Sequence, residues 1–186
     1  MNSASPGTKI AASRVIEGAG AQYVDAGVMT SVPPYGIAVP MLLGGRQAVH
    51  LADRLRPLGL NLTPVSEKIG VVSATKMARS IMIKGMEALV IESYTTARKY
   101  GVEDAMLATM KETFPGINWE TQGAYFFSRV AQHGKRRAEE MREAANTVDD
   151  AGFSPLMATA IAEKHDAIAE LAREGVFNDI SKDAPW

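Results

Sequence analysis

The residue whose type and position could most directly do chemistry is Lys76. It lies near the start of a proline-free stretch, residues 69–100, in which apolar side chains recur at helical spacing. A lysine on a mostly buried helix loses hydration, which disfavours its charged form and lowers the pKa of the amine toward neutrality. Such an amine can give and take protons, so the sequence predicts a general acid/base at Lys76. The alternative is a lysine at the helix edge with a buried stem and a hydrated amine.

Ser80 follows Lys76 by one helical turn, so the two side chains share a helix face. A hydroxyl in that position can hydrogen-bond a substrate that the amine is acting on. A serine inside a helix can equally bond back to its own backbone. The sequence leaves these two interpretations of Ser80 open.

A second polar group lies farther along the chain, at His133, Arg136 and Arg137. Two adjacent guanidinium groups are a candidate clamp for a substrate carboxylate or phosphate, and His133 is a candidate substrate contact beside them. The alternative for the arginines is a solvated helix face, on which Glu139 and Glu140 would be their partners. The equally open alternative for His133 is a histidine at a helix end.

Glycine and proline positions predict the elements that must hold these residues. The first part is a partial α/β unit in the order helix, strand, strand, helix, strand, at residues 5–17, 22–28, 39–43, 47–55 and 60–65. Ser5 is the predicted cap of the first helix, with Pro6 at its first position. Four helices follow, at 69–100, 103–114, 118–149 and 155–174, and the third could break near His133-Gly134.

Composition excludes several classes of function. The chain has 20 basic and 21 acidic residues, a balance that gives no general attraction to nucleic acid or to acidic membranes. It has no cysteine, and its three histidines are too scattered for a zinc motif, so no metal site is predicted. No apolar segment suggests a signal peptide or a membrane span, and we expect a cytoplasmic protein.

Several segments taken together resemble a known superfamily. They are YVDAGVMTSVPPYG, MLLGG, KMARSIMIKGMEAL at 76–89 and HGKRRAEEM at 133–141. Their order is similar to that in the β-hydroxyacid dehydrogenase and 6-phosphogluconate dehydrogenase superfamily, and most similar to its uncharacterised phosphogluconate-dehydrogenase-like NAD(P)-dependent oxidoreductases. The resemblance covers essentially the whole chain but only the later part of the family's sequence.

The resemblance implies a mainly α fold with a small α/β N-terminal portion. Residues 1–65 would be the remnant of an NAD(P)-binding Rossmann domain, and residues 66–186 an all-helical domain for substrate binding and dimerisation, joined to it by the long helix. The chain looks truncated at its start, because no G-x-G-x-x-G phosphate turn occurs anywhere in it. We therefore expect NAD or NADP in the intact enzyme and neither bound tightly to this chain alone.

The resemblance also implies roles for individual residues. Lys76 would be the general acid/base at the oxygen of a hydroxy acid, and Ser80 stands where many members have an asparagine. Thr30 and Ser31 follow the strand where many members carry Ser-Gly-Gly for the substrate carboxylate. Asn2 and Ser3 belong to a segment that lies under the nicotinamide and the substrate in the family.

The predicted partners are a small-molecule substrate and a second copy of the chain. Apolar residues of the 69–100 segment cover more than one helix face, which favours a homodimer built on the helical domain, as does the resemblance. The alternative to an oxidoreductase is a non-catalytic helical dimerisation module that lacks a nucleotide-binding domain.

Overall fold

The computed structural model describes residues 2–181 and 184, and the chain divides into two compact units. Unit 1 consists of the residues up to 80 together with 143–155, and unit 2 consists of 81–142 and the residues from 156 onward. The described residues form six α-helices and three β-strands. The predicted fold class, mainly α with a small α/β N-terminal portion, is confirmed.

A three-stranded sheet lies in unit 1, in the order β1 (Asp25–Val28), β2 (Met41–Gly44), β3 (Leu62–Ser66). β1 and β2 are antiparallel, whereas β2 and β3 are parallel and are connected through α2 (Ala48–Leu55). The three predicted strands are present, although β1 begins three residues later than expected. The unit's core packs one face of α2 against the sheet, with Val39, Met41, Leu43, Ala48, Ala52 and Leu62 buried.

The first helix, α1 (Pro6–Gly18), begins as its sequence predicts. Ser5 is the cap, and its hydroxyl accepts a hydrogen bond from the Thr8 backbone N–H at 3.4 Å. Pro6 occupies the first turn, where its missing N–H costs nothing and its fixed φ suits a helix. This cap fixes Ser5 directly before α1.

The long helix α3 (Val71–Tyr100) starts close against the sheet of unit 1. A Cβ atom at Gly27 would lie 2.7 Å from the Val72 side chain, and one at Gly44 would lie 3.1 Å from it. Glycine at these two strand positions therefore allows the first turn of α3 to pack directly on β1 and β2. Residues one turn farther along α3 are placed relative to the strands by this contact.

Unit 2 is helical. It contains the later part of α3, α4 (Glu103–Thr113), most of α5 (Trp119–Asp150) and α6 (Leu156–Arg173). Its aromatic core is formed by Val90, Tyr94, Leu107, Trp119 and Phe126. The Tyr94 hydroxyl donates a 3.0 Å hydrogen bond to the Trp119 carbonyl, so the polar end of this buried ring has a partner.

Helix α5 runs without interruption through His133-Gly134, so the predicted break there is wrong. The glycine serves packing instead. A Cβ at Gly134 would lie 2.8 Å from the carbonyl oxygen of His165 and 3.1 Å from the Cβ of Ala169, both on α6. Gly134 thus lets α5 and α6 approach more closely than any other residue would allow.

One face of α3 in unit 2 is apolar and exposed. Met82 and Leu89 expose 66% and 60% of their surface, and Met86, between them, exposes 36%. Their spacing places them in one stripe along the helix. We call Met82, Met86 and Leu89 the α3 stripe. Among the described residues, no helix has the length and apolar character needed to cross a membrane.

Candidate functional site

The amine of Lys76 lies beside the N-terminal segment of the chain. Lys76 is half-buried, less than the sequence suggests, and its Nζ donates a 2.8 Å hydrogen bond to the Ser3 Oγ. Lys76 lies in the second turn of α3, and Ser3 lies just before the α1 cap. Two residues that the sequence assigned separately, to acid–base chemistry and to the cofactor, are therefore in direct contact.

The start of α3 holds the same N-terminal segment at a second point. The Ser73 hydroxyl donates a hydrogen bond to the Ala4 carbonyl oxygen, and the Ser73 backbone N–H donates to Asp25 Oδ2 at 3.2 Å. Asp25, at the start of β1, is almost completely buried. The Lys9 amine lies 3.1 Å from Asp25 Oδ1, as an ion pair without the angles of a hydrogen bond. Lys9 balances the charge of a carboxylate that would be costly to bury alone.

A third contact comes from a distant part of the sequence. The Ser5 backbone N–H donates a 2.6 Å hydrogen bond to Glu143 Oε2, from the part of α5 that belongs to unit 1. Ser3, Ala4 and Ser5 are thus each bonded through a different group, by Lys76, Ser73 and Glu143 respectively. This stretch of three residues is fixed in place although it lies outside any helix or strand.

The other predicted site residues of unit 1 lie in different settings. Ser80 is buried one turn after Lys76 on α3. Thr30 and Ser31 are exposed and belong to the loop after β1, and Asn2 is exposed directly before Ser3. The structure therefore brings Ser3 into contact with Lys76, with Asn2 next to Ser3 in the chain and Ser80 one turn farther along α3.

Arg137 lies in the interior of unit 2. Its guanidinium makes two hydrogen bonds to the carboxylate of Glu87, one of them from Nε to Oε2 at 2.7 Å, and both side chains are almost completely buried. The alternative of a solvated helix face is wrong for this residue. The donors that an anion clamp would offer to a substrate are used here within the protein.

Two further charged groups lie with this pair. The buried Lys84 amine is 2.9 Å from Glu140 Oε2, and burial lowers the Lys84 pKa although Glu140 opposes that shift. Nε2 of the fully buried His165 lies 3.7 Å from Glu87 Oε2. Burial, helped by the nearby Arg137 and Lys84 charges, lowers the His165 pKa to about 4. We call Lys84, Glu87, Arg137, Glu140 and His165 the buried charge cluster.

Arg136 and His133 lie nearer the surface of unit 2. Arg136 is exposed and makes a 3.4 Å ion pair with Glu140, one turn later on α5. His133 is half-buried, and burial together with the charges of Arg129, Arg136 and Arg137 lowers its pKa. Both side chains line a surface groove between α5 and α6, together with Asp166 and Arg173. Among the described residues, no group of three or more His, Asp or Glu side chains is placed to hold a metal ion.

Sequence reasoning missed Asp25 and Ser73, and it named Arg137 and Glu140 without predicting the buried charge cluster to which they belong. Charged residues at inward positions of a helix are the one available signal, and Lys84 and Glu87 show it on α3. Asp25 and Ser73 carry no comparable signal, because their partners are 48 and 69 residues away in sequence.

Comparison with known proteins places this fold. Residues 97–168 match a domain of unknown function, DUF1932. An uncharacterized 28.5 kDa protein from Methanothermus fervidus is 29% identical over 124 residues, which are 63% of this chain and 46% of that protein. This chain therefore spans less than half of that curated relative.

Two solved structures are similar to this chain in both sequence and fold. A conserved hypothetical protein from Sinorhizobium meliloti 1021 is 40% identical in sequence, with a TM-score of 0.86. The match covers 100% of this chain and 61% of that protein's chain. A conserved protein of unknown function, reported as structurally similar to 3-hydroxyacid dehydrogenases, is 31% identical in sequence, with a TM-score of 0.77. The match covers 94% of this chain and 65% of that protein's chain.

A third structure shows similarity in fold alone. The 3-hydroxyisobutyrate dehydrogenase of Salmonella typhimurium is 15% identical in sequence, with a TM-score of 0.62. The match covers 92% of this chain and 62% of the dehydrogenase chain. The resemblance seen in the sequence is confirmed by these relatives together. Residues 97–168 therefore match the DUF1932 domain, and the chain as a whole is similar to proteins with a 3-hydroxyacid dehydrogenase-like fold.

Proposed function

We propose that this chain is part of an NAD(P)-dependent oxidoreductase that acts on a hydroxy acid or a related small carboxylate, and that it supplies the general acid/base, Lys76. The observation that carries the proposal is the 2.8 Å hydrogen bond from the half-buried Lys76 amine to Ser3. An amine in this setting is held at one position, from which it can exchange a proton with a substrate oxygen. Similarity to the 3-hydroxyacid dehydrogenases supports the reaction class.

In the proposed reaction Lys76 moves the proton and does no covalent chemistry. During oxidation the neutral amine takes the proton from the substrate hydroxyl, and during reduction the ammonium returns it to the ketone oxygen. The Ser3 hydroxyl orients the amine by accepting one of its hydrogens, and Ser80 is a further hydrogen-bonding group for the substrate. When bound, the nicotinamide of NAD or NADP supplies the hydride chemistry.

The described residues fit one end of such a cofactor. Asn2 offers an exposed amide next to Ser3, which suits the carboxamide of a nicotinamide near Lys76. Helix N-termini, the usual pyrophosphate sites, are otherwise engaged at α1 and α3. Ser5 caps α1, and the Asp25 carboxylate already accepts a hydrogen bond at the start of α3. We therefore propose no pyrophosphate site at either helix.

Substrate carboxylate binding is proposed at the exposed hydroxyls of Thr30 and Ser31. Within unit 2, Arg136 and His133 are the proposed contacts for an anion, because both line the groove between α5 and α6. The buried bond to Glu87 argues against Arg137 in that role.

The test is Lys76→Ala in an active enzyme in which this chain accompanies a nucleotide-binding domain. Turnover should fall by at least ~100-fold, the usual scale for loss of a general acid/base. Lys68→Ala is the matched control, since Lys68 is exposed, lies in the same unit and should leave turnover unchanged. Near-normal turnover of Lys76→Ala would remove the assignment.

The second candidate function is a non-catalytic helical dimerisation module. The α3 stripe favours this function, because adjacent apolar side chains exposed along one helix are typical of a protein–protein interface. The two candidates differ in what Lys76 does: a dimerisation module would lose no function in Lys76→Ala.

A further inference from the structure

We propose that Ser73 is a positioning residue whose hydroxyl holds the Ser3-Ala4 segment so that the Ser3 hydroxyl stays on the Lys76 amine. The inference rests on the function proposed for Lys76 and adds a residue that does not touch the substrate. It is carried by the way in which two adjacent turns of α3 bond one dipeptide.

Ser73 and Lys76 are three residues apart on α3, so their side chains project from the same side of the helix. The Ser73 Oγ donates to the Ala4 carbonyl, and the Lys76 Nζ donates to the Ser3 Oγ at 2.8 Å. Two consecutive residues of the segment are thereby bonded to two consecutive turns of one helix. The hydrogen bond between Ser3 and Lys76 can break in two ways. Either the neighbouring bond from Ser73 to Ala4 breaks as well, or the backbone dihedral angles between Ser3 and Ala4 change.

Ser73 can act as an anchor because it is itself fixed. It is 4% exposed, and its backbone N–H is bonded to Asp25 Oδ2. Asp25 is in turn neutralised by the buried Lys9. The anchor therefore connects the Ser3-Ala4 segment to both β1 and α1.

Ser73 bonds the chain at Ala4, which lies between Ser3 and a second residue that is held in place, Ser5. Ser5, which follows Ala4, is held by Glu143 and by its own role as the α1 cap. Without the Ser73 hydroxyl, the segment that precedes Ser5 would lose its fixed carbonyl, and the Ser3 side chain would swing about the Ser5 position. Loss of a buried hydrogen bond of this kind changes a local equilibrium by about 3- to 10-fold.

Competitive acetylation of the chain with trace acetic anhydride tests this directly. Mass spectrometry would give the labelling rate of Lys76 relative to the exposed Lys99 on the same molecule. Ser3→Ala removes the hydroxyl that accepts from the Lys76 amine, so Lys76 labelling should rise. Ser73→Ala should raise it in the same direction by about 3- to 10-fold, and adding it to Ser3→Ala should give no further rise.

The controls separate positioning from general loosening. Ser13→Ala is matched, because Ser13 is equally buried in unit 1 but its hydroxyl donates to the Ile10 carbonyl of its own helix, and it should leave Lys76 labelling unchanged. Ser73→Thr keeps the hydroxyl and should restore the slow rate. The inference is overturned if Ser73→Ala labels Lys76 as slowly as the unmodified chain, or if labelling of the buried Lys9 rises in parallel.

The same variants distinguish this inference from the proposed function. In an active enzyme, Ser73→Ala should lower kcat while KM stays constant, because only the position of the amine changes. If Lys76→Ala left turnover normal, the acid–base proposal would fail while the labelling result for Ser73 still stood. If Lys76→Ala were inactive but Ser73→Ala labelled normally, only the positioning role would fail.

Discussion

Arg136 and Arg137 are neighbours in the chain, yet one lies at the surface and the other in the interior. Arg136 keeps most of its side chain in water, whereas Arg137 exposes only 7% of its side chain and is bonded to Glu87. Removing one member of a buried pair leaves an uncompensated charge, whereas removing one member of an exposed pair leaves a hydrated one.

We therefore expect Arg137→Met to destabilise the protein by about 3–5 kcal/mol, measured by urea unfolding. Arg136→Met, the matched control one residue away, should cost at most ~0.5 kcal/mol. Glu87→Leu combined with Arg137→Met should recover most of the loss, because it removes both buried charges. Equal effects of the two single substitutions would contradict the buried pair.

His165 makes stability depend on pH. Its pKa is about 4 in the fold against an ordinary 6.5, mainly because burial disfavours the imidazolium. Between those values the unfolded chain binds the proton and the folded chain does not. The contribution of neutral His165 is therefore complete above pH 6.5 and is lost as the pH falls toward 4, with a total of about 3 kcal/mol.

His165→Leu should flatten the pH dependence of unfolding free energy between pH 6.5 and 4. Both ring nitrogens of His165 are buried without hydrogen-bond partners among the described residues, so an apolar replacement breaks no hydrogen bond seen there. His50→Leu, the same change at an exposed histidine, should keep the original slope. A His165→Leu curve parallel to that of the unmodified protein would show that another group is responsible.

The residues of the site differ in how far they could be predicted. The shared face of Lys76 and Ser80 follows from spacing along one helix, which sequence determines locally. The contact between Lys76 and Ser3 joins positions 73 residues apart and depends on the packing of α3 on the sheet. Arg137 shows the opposite limit, since nothing in a charge-rich segment distinguishes its inward position from the outward one of Arg136.

At the scale of elements, glycine determines how closely neighbouring helices pack. In an isolated helix Gly→Ala is favourable by about 1 kcal/mol. At Gly134 the added methyl would meet the His165 carbonyl at 2.8 Å, and backbone cannot move aside as a side chain can. At Gly85, in the middle of α3, the nearest atom is the flexible end of the Ile161 side chain at 3.3 Å.

Gly134→Ala should accordingly destabilise unit 2 by about 1–3 kcal/mol, the usual cost of overpacking. Gly85→Ala should be neutral or stabilising by up to ~1 kcal/mol. Thermal unfolding of the two variants, followed by circular dichroism, gives the comparison. A stable Gly134→Ala would mean that α5 and α6 can separate at no cost.

Element boundaries follow from local signals and sheet topology does not. The Ser5-Pro6 start of α1 and the breaks between the later helices fall where the chain predicts, because caps and breakers act within a few residues, whereas the expected break at Gly134 does not occur. The antiparallel pairing of β1 with β2 and the parallel pairing of β2 with β3 were not predicted. Strand direction is decided by packing partners that no short segment contains.

At the scale of the whole molecule, the α3 stripe remains the main unexplained surface. We expect a homodimer that covers Met82, Met86 and Leu89, burying more than the ~1,600 Å² of a standard interface. Sedimentation equilibrium should give twice the 19.9 kDa chain mass. Met82→Lys combined with Leu89→Lys should yield monomers, whereas Thr109→Lys, which adds one lysine at an exposed position of α4, should not. A monomer at tens of micromolar for the unmodified chain would exclude this dimer.

The hydrogen bond between Ser5 and Glu143 has a consequence for biosynthesis. Its two ends are 138 residues apart, so the ribosome makes Ser5 long before the carboxylate that holds it exists. Unit 1 is built from the beginning of the chain and from residues 143–155, and it cannot be completed until that later stretch has emerged. The bond that holds Ser5, two residues from the Lys76 partner Ser3, therefore cannot form until residue 143 has been made, and a nascent chain halted at residue 142 lacks it.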